Sequence, residues 1–181
     1  MATDCIAQVT FEFHDKLKPV VARFDQAQAS TDGGAVLLTA LDDRLQLTDR
    51  LAGCLADHRD PDKILHPLRD LLRQRIFGLA CGYEDANDAA RLANDPVHKL
   101  AVGHDPVTGA ALASQPTLSR FENAVSPWTL ARMGRTLATT VIAHHQARLK
   151  GRAQRITIDL DPTDDPTHGQ QAFTFFNGHY D

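Results

Sequence analysis

Apolar residues recur at every third or fourth position through most of the chain, which is the spacing of amphipathic α-helices. Local signals set the boundaries: Pro67 and Pro116 suit the first turn of a helix, whereas Gly82 and Gly151 suit its end. The predicted helices cover residues 35–45, 48–55, 67–82, 86–93, 96–101, 116–123 and 126–150.

Capping and burial follow from the same pattern. Asp85 is predicted to cap the helix that follows it, and Thr31 or Asp32 is predicted to cap the first helix. In the helix over 67–82, one apolar stripe is predicted to face the core: Leu68, Leu72, Ile76 and Leu79.

Period-two alternation appears at both ends of the chain and predicts β-strands. Near the N-terminus, Val9–Phe13 and Val20–Phe24 form either a hairpin or an arm that packs on another subunit. Near the C-terminus, Arg155–Asp161 and Gln171–Phe176 predict a second hairpin around a His-Gly turn.

The predicted elements divide the chain into two regions. Residues 1–150 are expected to form a mainly helical region that could bind DNA, and residues 151–181 the C-terminal hairpin. Two strands alone are only marginally stable in water, so the hairpin is interpreted as the start of a larger mixed sheet. The fold class is therefore mainly α, followed by the first hairpin of an incomplete α/β domain.

Composition narrows the function classes. The hydrophobic content of 43% and charged content of 23% are typical of a soluble globular protein, and the net charge of −4 disfavours a freestanding basic DNA-binding module. The three cysteines lie far apart, without a C-x-x-C pair, which disfavours a zinc ribbon or a disulfide framework. No signal peptide or apolar run of ~18 residues is visible, so a cytoplasmic setting without a membrane partner is expected.

Four carboxylates crowd into seven residues at the end of the predicted C-terminal strand: Asp159, Asp161, Asp164 and Asp165. Asp159 and Asp161 share one face of that strand, opposite its isoleucines. Carboxylate oxygens are ligands of Mg²⁺, commonly together with substrate phosphate. The pattern predicts a metal site beside a phosphodiester, and an ordinary Asp-Pro turn or solvated loop stays open as the alternative.

Two groups of side chains are candidates for contacts with DNA phosphates. Thr117, Ser119 and Arg120 lie near the start of a predicted helix, where short hydroxyl groups and arginine suit backbone contacts. Arg73 and Arg75 decorate the helix over residues 67–82. The alternatives are an ordinary amphipathic helix for the first group and a solvated helix face for the second.

The acidic motif also carries a resemblance. Asp159-Leu-Asp161-Pro-Thr163-Asp-Asp-Pro-Thr-His-Gly169 resembles the start of the catalytic domain in DDE transposases of bacterial insertion sequences, in the branch marked by D-x-D-x-T-D-D-P-x-H-G. Further short segments match in the same order and extend the likeness over most of the chain: Ser30-Thr-Asp-Gly-Gly34, Gly82-Tyr-Glu-Asp-Ala-Asn-Asp88, Ser114–Asn123 and Phe175-Phe-Asn-Gly178.

The resemblance implies a ribonuclease H-like catalytic domain, in which an acidic triad holds two Mg²⁺ or Mn²⁺ ions for in-line displacement at phosphorus. Asp161-Pro-Thr163 matches the D-x-T setting of the first triad acid, which makes Asp161 the first choice and Asp159 the second. The second Asp and the Glu are expected beyond residue 181. The chain is therefore expected to be an N-terminal fragment that is inactive alone. Binding of the metal ions is expected only when the complete triad is present.

The resemblance also implies partners. These are the inverted-repeat DNA ends of a mobile element and a second copy of the protein in a synaptic complex, with nucleoid association in the cytoplasm when DNA is bound. Two other function classes stay open. One is a non-enzymatic DNA-binding or inhibitory fragment. The other is an aspartyl phosphotransferase, whose D-x-D-x-T pattern Asp159-Leu-Asp161-Pro-Thr163 fits literally.

Overall fold

A computed structural model describes residues 8–11, 20–23, 29–149, 151, 155–157, 159–160, 174–176 and 178. Its strands are β1 (Gln8–Phe11) and β2 (Val20–Arg23). Its helices are α1 (Ala35–Leu45), α2 (Leu47–Ala52), α3 (Leu68–Ala80), α4 (Ala89–Leu92), α5 (Pro96–Val102), α6 (Gln115–Asn123) and α7 (Pro127–Arg148). Single 3₁₀ turns cover Pro61–Lys63 and Ala86–Asp88. The protein is thus mostly helical, as its periodicity predicts.

The two N-terminal runs pair as an antiparallel hairpin. Gln8 lies opposite Arg23, and Phe11 lies opposite Val20. The strand pairing predicted for this segment is confirmed, and its packing on another subunit stays an untested alternative.

The predicted C-terminal hairpin is not shown. Residues 155–157, 159–160 and 174–176 have no regular secondary structure, and the rest of the predicted hairpin, including Asp161, lies outside the described residues. Apolar side chains in this segment are exposed: Ile156, Leu160, Phe175 and Phe176. An alternating pattern makes a stable strand only where neighbouring strands and a packed face cover it, so the local signal was not sufficient.

Internal contacts divide the chain into two units, Met1–Thr140 and Val141–Asp181. The boundary falls within α7, and the sequence-based boundary after residue 150 stays a prediction. None of the described helices is long and apolar enough to cross a membrane.

In the first unit, α3 is the central helix and contacts α1, α2, α5 and α6. One core cluster contains four buried side chains, Leu71, Ala89, Ala113 and Leu118. The partly buried Leu68 and Phe121 pack against it. The cluster connects α3, α4, α6 and the segment that leads into α6.

The stripe predicted for α3 is only partly correct. Leu72 is buried and Leu68 packs against the core, but Leu79 is 46% exposed, whereas Leu71 and Phe77 are buried. Because α3 is covered by helices on several sides, burial extends beyond a single apolar stripe and includes polar residues.

Arg73 is the centre of a buried polar network on α3. It is 6% exposed, so the interpretation of its side chain as part of a solvated helix face is wrong. Its guanidinium donates to Oδ2 of Asp42 at 3.1 Å and to Oγ1 of Thr48 at 2.9 Å. Thr48 in turn donates through its backbone N–H and its hydroxyl to the Asp42 carboxylate. The network joins α1, α2 and α3.

The joint between α1 and α2 is a single residue in a left-handed conformation. Gln46 has φ 52° and ψ 34°, and its backbone N–H bonds the carbonyl of Asp42. This residue interrupts the helix between Asp42 and Thr48, and both of those side chains bond Arg73.

The side-chain amide of Gln74 makes two hydrogen bonds to the backbone of one residue, Ala113. Its Nε2 donates to the carbonyl of Ala113 at 2.9 Å, and its Oε1 accepts the N–H of Ala113 at 3.0 Å. Both residues are buried, so these bonds satisfy groups that water cannot reach. The pair fixes the segment before α6 against α3.

The end of α2 also contacts α7. The side chain of Arg132 donates to the carbonyl of Cys54, and Oγ1 of Thr136 lies 3.3 Å from the Cys54 sulfur. Cys54 is buried.

The Arg73 network predicts a large stability effect. Arg73→Ala is expected to lower the free energy of unfolding by about 3–5 kcal/mol, because it leaves the Asp42 carboxylate buried without its cation. Chemical denaturation followed by circular dichroism measures this loss. The matched control is Arg69→Ala, since Arg69 pairs with Asp49 near the surface, where an ion pair contributes about 0–1 kcal/mol. Equal losses in both variants would contradict the role given to Arg73.

The Gln74 pairing predicts a second effect. Gln74→Glu keeps the shape but removes the amide donor and places a carboxylate oxygen against the Ala113 carbonyl. The expected loss is about 1–3 kcal/mol, the cost of leaving a buried group unsatisfied. Gln146→Glu, at an exposed position of α7, changes the net charge equally and should cost less than about 1 kcal/mol. A loss in Gln74→Glu no larger than in this control would count against the pairing.

Candidate functional site

The proposed phosphate contacts lie on α6, with Thr117 in its first turn and Arg120 in its last turn. Ser114 occupies the N-cap position without a side-chain bond to the backbone, and its hydroxyl lies 3.2 Å from Oγ1 of Thr117. Arg120 is exposed, with one guanidinium nitrogen 3.4 Å from the same hydroxyl. Ser119 is half-buried. Thr117, Ser119 and Arg120 therefore lie within two turns of one helix, and Arg120 reaches solvent.

The same helix uses its other face for packing. Leu118 is buried and Phe121 packs against the core. α6 thus presents a short stretch of hydroxyl groups and one arginine on an element that the core holds in place.

Arg75 adjoins α6, but each of its three guanidinium nitrogens already donates a hydrogen bond within the protein. Its Nε pairs with Glu122 of α6, and its two terminal nitrogens donate to the carbonyls of Tyr83 and Glu84 at 3.1 and 2.7 Å. Its side chain is 19% exposed. Arg75 therefore joins α3, α6 and the segment after α3. Arg73 faces α1 and α2 instead, inside the protein.

The predicted metal ligands lie in the other unit. Asp159 is exposed and has no regular secondary structure, and Asp161 lies outside the described residues. Their assignment as first triad acid and metal ligand stays a prediction.

A second polar cluster was not predicted from the sequence. Oδ2 of Asp32 accepts the Tyr83 hydroxyl at 2.7 Å and lies 2.9 Å from Nε2 of His98. His98 is 2% exposed. The ligand atoms of Asp32, Cys81 and His98 all lie within 4.8 Å of one another. The cluster joins the segment before α1, the end of α3 and α5.

The prediction that Asp32 or Thr31 caps α1 is wrong. Gly34 is the N-cap residue and makes no side-chain cap bond, and only the backbone carbonyl of Asp32 bonds the helix, at the N–H of Ala35. The Asp32 carboxylate is instead used by Tyr83 and His98. The sequence offers no local signal for this choice, because the partners are distant along the chain.

The cap predicted at Asp85 is confirmed, and a further cap at Asp95 fixes the start of α5. Asp85 accepts the N–H of Asn87, and Asp95 accepts the N–H groups of Val97 and His98. The Asp95 cap fixes the first turn of α5, on which His98 lies.

Burial and contacts within the cluster shift the pKa values of Asp32, Tyr83 and Cys81. Burial alone would raise the pKa of Asp32, but hydrogen bonds from Tyr83 and His98 outweigh it and lower the pKa below the ordinary 3.8. The bond to Asp32, with burial second, raises the pKa of Tyr83. Burial first, and then the negative charges of Asp32 and Asp95, raise the pKa of the Cys81 thiol.

Ring contacts enclose Tyr83. Its ring meets the His98 ring edge-on, with centroids 5.6 Å apart, and the Arg91 guanidinium lies 5.0 Å from its centroid. Both contacts restrict the ring and hold its hydroxyl toward Asp32.

Comparisons with known proteins place the chain in a family. The family profile described as Transposase DDE domain group 1 matches residues 13–181. No curated protein and no solved structure matches the chain. The profile covers nearly the whole sequence. The helices α1–α7 and the acidic motif therefore fall within one family match. The chain belongs to the DDE transposases of this family.

Proposed function

We propose that this chain is the part of an insertion-sequence transposase that recognises the element's DNA ends and supplies the first acid of the catalytic triad. The family match over residues 13–181 carries the proposal, because it joins the helical region to the acidic motif. Transposases act on DNA, and DDE domains generally use divalent metal ions. In more detail, we propose that the chain belongs to the insertion-sequence branch, binds inverted-repeat DNA ends and acts as a pair of copies in a synaptic complex.

The donor set at the acidic motif fits a hard divalent cation. Asp159 and Asp161 offer carboxylate oxygens, and the Asp159 side chain is exposed and so accessible to an ion. Asp161, with Asp159 beside it, would hold Mg²⁺ or Mn²⁺. When bound, such ions activate the attacking oxygen and stabilise the leaving oxygen in phosphoryl displacement.

The chain's other residues position the nucleic acid. In the proposal, Arg120 and the hydroxyls of Thr117 and Ser119 contact backbone phosphates, because Arg120 is exposed in the last turn of α6 and lies beside the Thr117 hydroxyl. Arg75 acts indirectly by holding α6 against α3 through Glu122.

Arg73 has no direct contact with DNA in this proposal, because its guanidinium is buried against Asp42 and Thr48. Its contribution is to the stability of the helical unit that carries α6.

DNA binding tests the phosphate contacts. Arg120→Ala is expected to weaken binding to end-bearing and unrelated DNA alike, and to lower the slope of log K against log salt by about 1, the change for one lost phosphate contact. Fluorescence anisotropy across a salt series measures both quantities.

The control for that experiment is Arg44→Ala, at an exposed position on α1. It removes the same charge without removing a proposed contact. An unchanged salt slope in Arg120→Ala, or an equal change in Arg44→Ala, would contradict the contact at Arg120.

Cleavage tests the acids. In a longer protein that contains this sequence and cuts end-bearing DNA, Asp161→Asn is expected to abolish Mg²⁺-dependent cleavage while leaving DNA binding intact, because asparagine keeps the shape but loses the charge that holds the ion. Asp159→Asn identifies whether the neighbouring acid shares the role, and Asp164→Asn is the matched control. Full cleavage by Asp161→Asn would refute the assignment.

The 181-residue chain itself is proposed to bind DNA without cutting it, since one short acidic cluster is insufficient for a two-ion site. Binding without cleavage by this chain is also what a DNA-binding or inhibitory fragment would show. Mg²⁺-dependent cleavage by the isolated chain, lost in Asp161→Ala, would contradict this part of the proposal.

A further inference from the structure

The Asp32 cluster brings together three different kinds of metal-ligating atom. Asp32 supplies a carboxylate oxygen, Cys81 a sulfur and His98 an imidazole nitrogen, and the three atoms lie within 4.8 Å of one another. They come from three segments that α3 and α5 hold together. Among the described residues, none makes a hydrogen bond to the Cys81 sulfur, which is therefore available as a ligand.

The spacing is close to that of a tetrahedral site. Zinc bonds of ~2.0–2.3 Å place neighbouring ligand atoms roughly 3.3–3.8 Å apart. The Asp32 and His98 atoms are 2.9 Å apart and would separate slightly, whereas the Cys81 sulfur would move inward by no more than about 1.5 Å from the 4.8 Å limit. Side-chain rotation is sufficient for shifts of this size, so the backbone need not rearrange.

We propose that Asp32, Cys81 and His98 form a zinc site that joins the segment before α1 to the ends of α3 and α5, with a water molecule as the fourth ligand. Three protein ligands and one open position are a known zinc arrangement. On binding, the Cys81 sulfur forms a bond to the ion and its thiol proton passes to solvent. The site does not depend on the proposed transposase chemistry.

The ligand set distinguishes this site from the acidic motif. A thiolate and an imidazole favour Zn²⁺, whereas Mg²⁺ takes oxygen ligands. One chain would therefore hold two metals of different chemistry, zinc within the helical unit and a hard cation at Asp159 and Asp161.

Neighbouring residues support the ligands. Tyr83 donates to the Asp32 carboxylate at 2.7 Å and orients it, and the Asp95 cap fixes the turn of α5 that carries His98. Such outer contacts commonly tune metal affinity by holding a ligand in one orientation. His98 is also almost fully buried, which keeps its ring from rotating freely into solvent.

Cobalt substitution tests the site in the intact 181-residue chain. The protein is treated with a chelator, kept reduced with a phosphine, and titrated with Co²⁺ and then Zn²⁺. We expect one Co²⁺ per chain, with a thiolate-to-cobalt charge-transfer band and the strong visible bands of tetrahedral coordination. Zinc should displace the cobalt and raise the midpoint of thermal unfolding, because it binds the folded protein more tightly than the unfolded chain.

Cys81→Ser is the decisive variant, since Cys81 is half-buried and its side chain makes no described hydrogen bond that folding needs. It should fold, as circular dichroism can verify, lose the charge-transfer band and bind zinc more than about tenfold more weakly. Cys54→Ser, which changes a buried thiol elsewhere, should keep the band.

A further control removes exposed histidines that bind metals non-specifically. The double variant His144→Gln and His145→Gln should leave the band and the thermal shift unchanged, because both side chains are exposed on α7, outside the cluster. Co²⁺ binding without the charge-transfer band, a band that persists in Cys81→Ser, or no binding above background would each overturn the proposed site.

Discussion

The buried pair of Arg73 and Asp42 is the constraint on which the helical unit depends. Moving both charges out of water is costly, and the cost is offset only if the remaining donors and acceptors are satisfied. Thr48 meets that condition by accepting from Arg73 while donating to Asp42. This network favours one arrangement of α1, α2 and α3, because burying either charge without the other is costly.

The next two residues of α3, Gln74 and Arg75, also bond groups outside their own helix. Gln74 fixes the segment before α6, and Arg75 joins α6 to the segment that follows α3. Three consecutive polar residues thus point to three different sides of one helix, as its geometry of about 100° per residue requires. The position of the proposed DNA-contacting turn of α6 depends on two of them.

The features that the sequence predicts correctly are those that depend on residues close together in the chain. The helices, the hairpin between β1 and β2, and the cap at Asp85 all follow from residues within a few positions of one another. The buried role of Arg73 and the redirected carboxylate of Asp32 were not predictable in this way, since their partners lie far along the chain. The acidic motif was recognisable from its residue order, although its strand pattern has no counterpart in the described residues.

Gln46 has a consequence for how this sequence can vary. A left-handed conformation costs an ordinary residue about 1–2 kcal/mol, and a side chain branched at Cβ costs more, whereas glycine adopts it freely. Evolutionary drift at this position should therefore be confined to glycine, asparagine and unbranched side chains. Valine or isoleucine there would strain the joint that lets Thr48 bond Asp42, so the backbone conformation of this exposed residue supports a buried network.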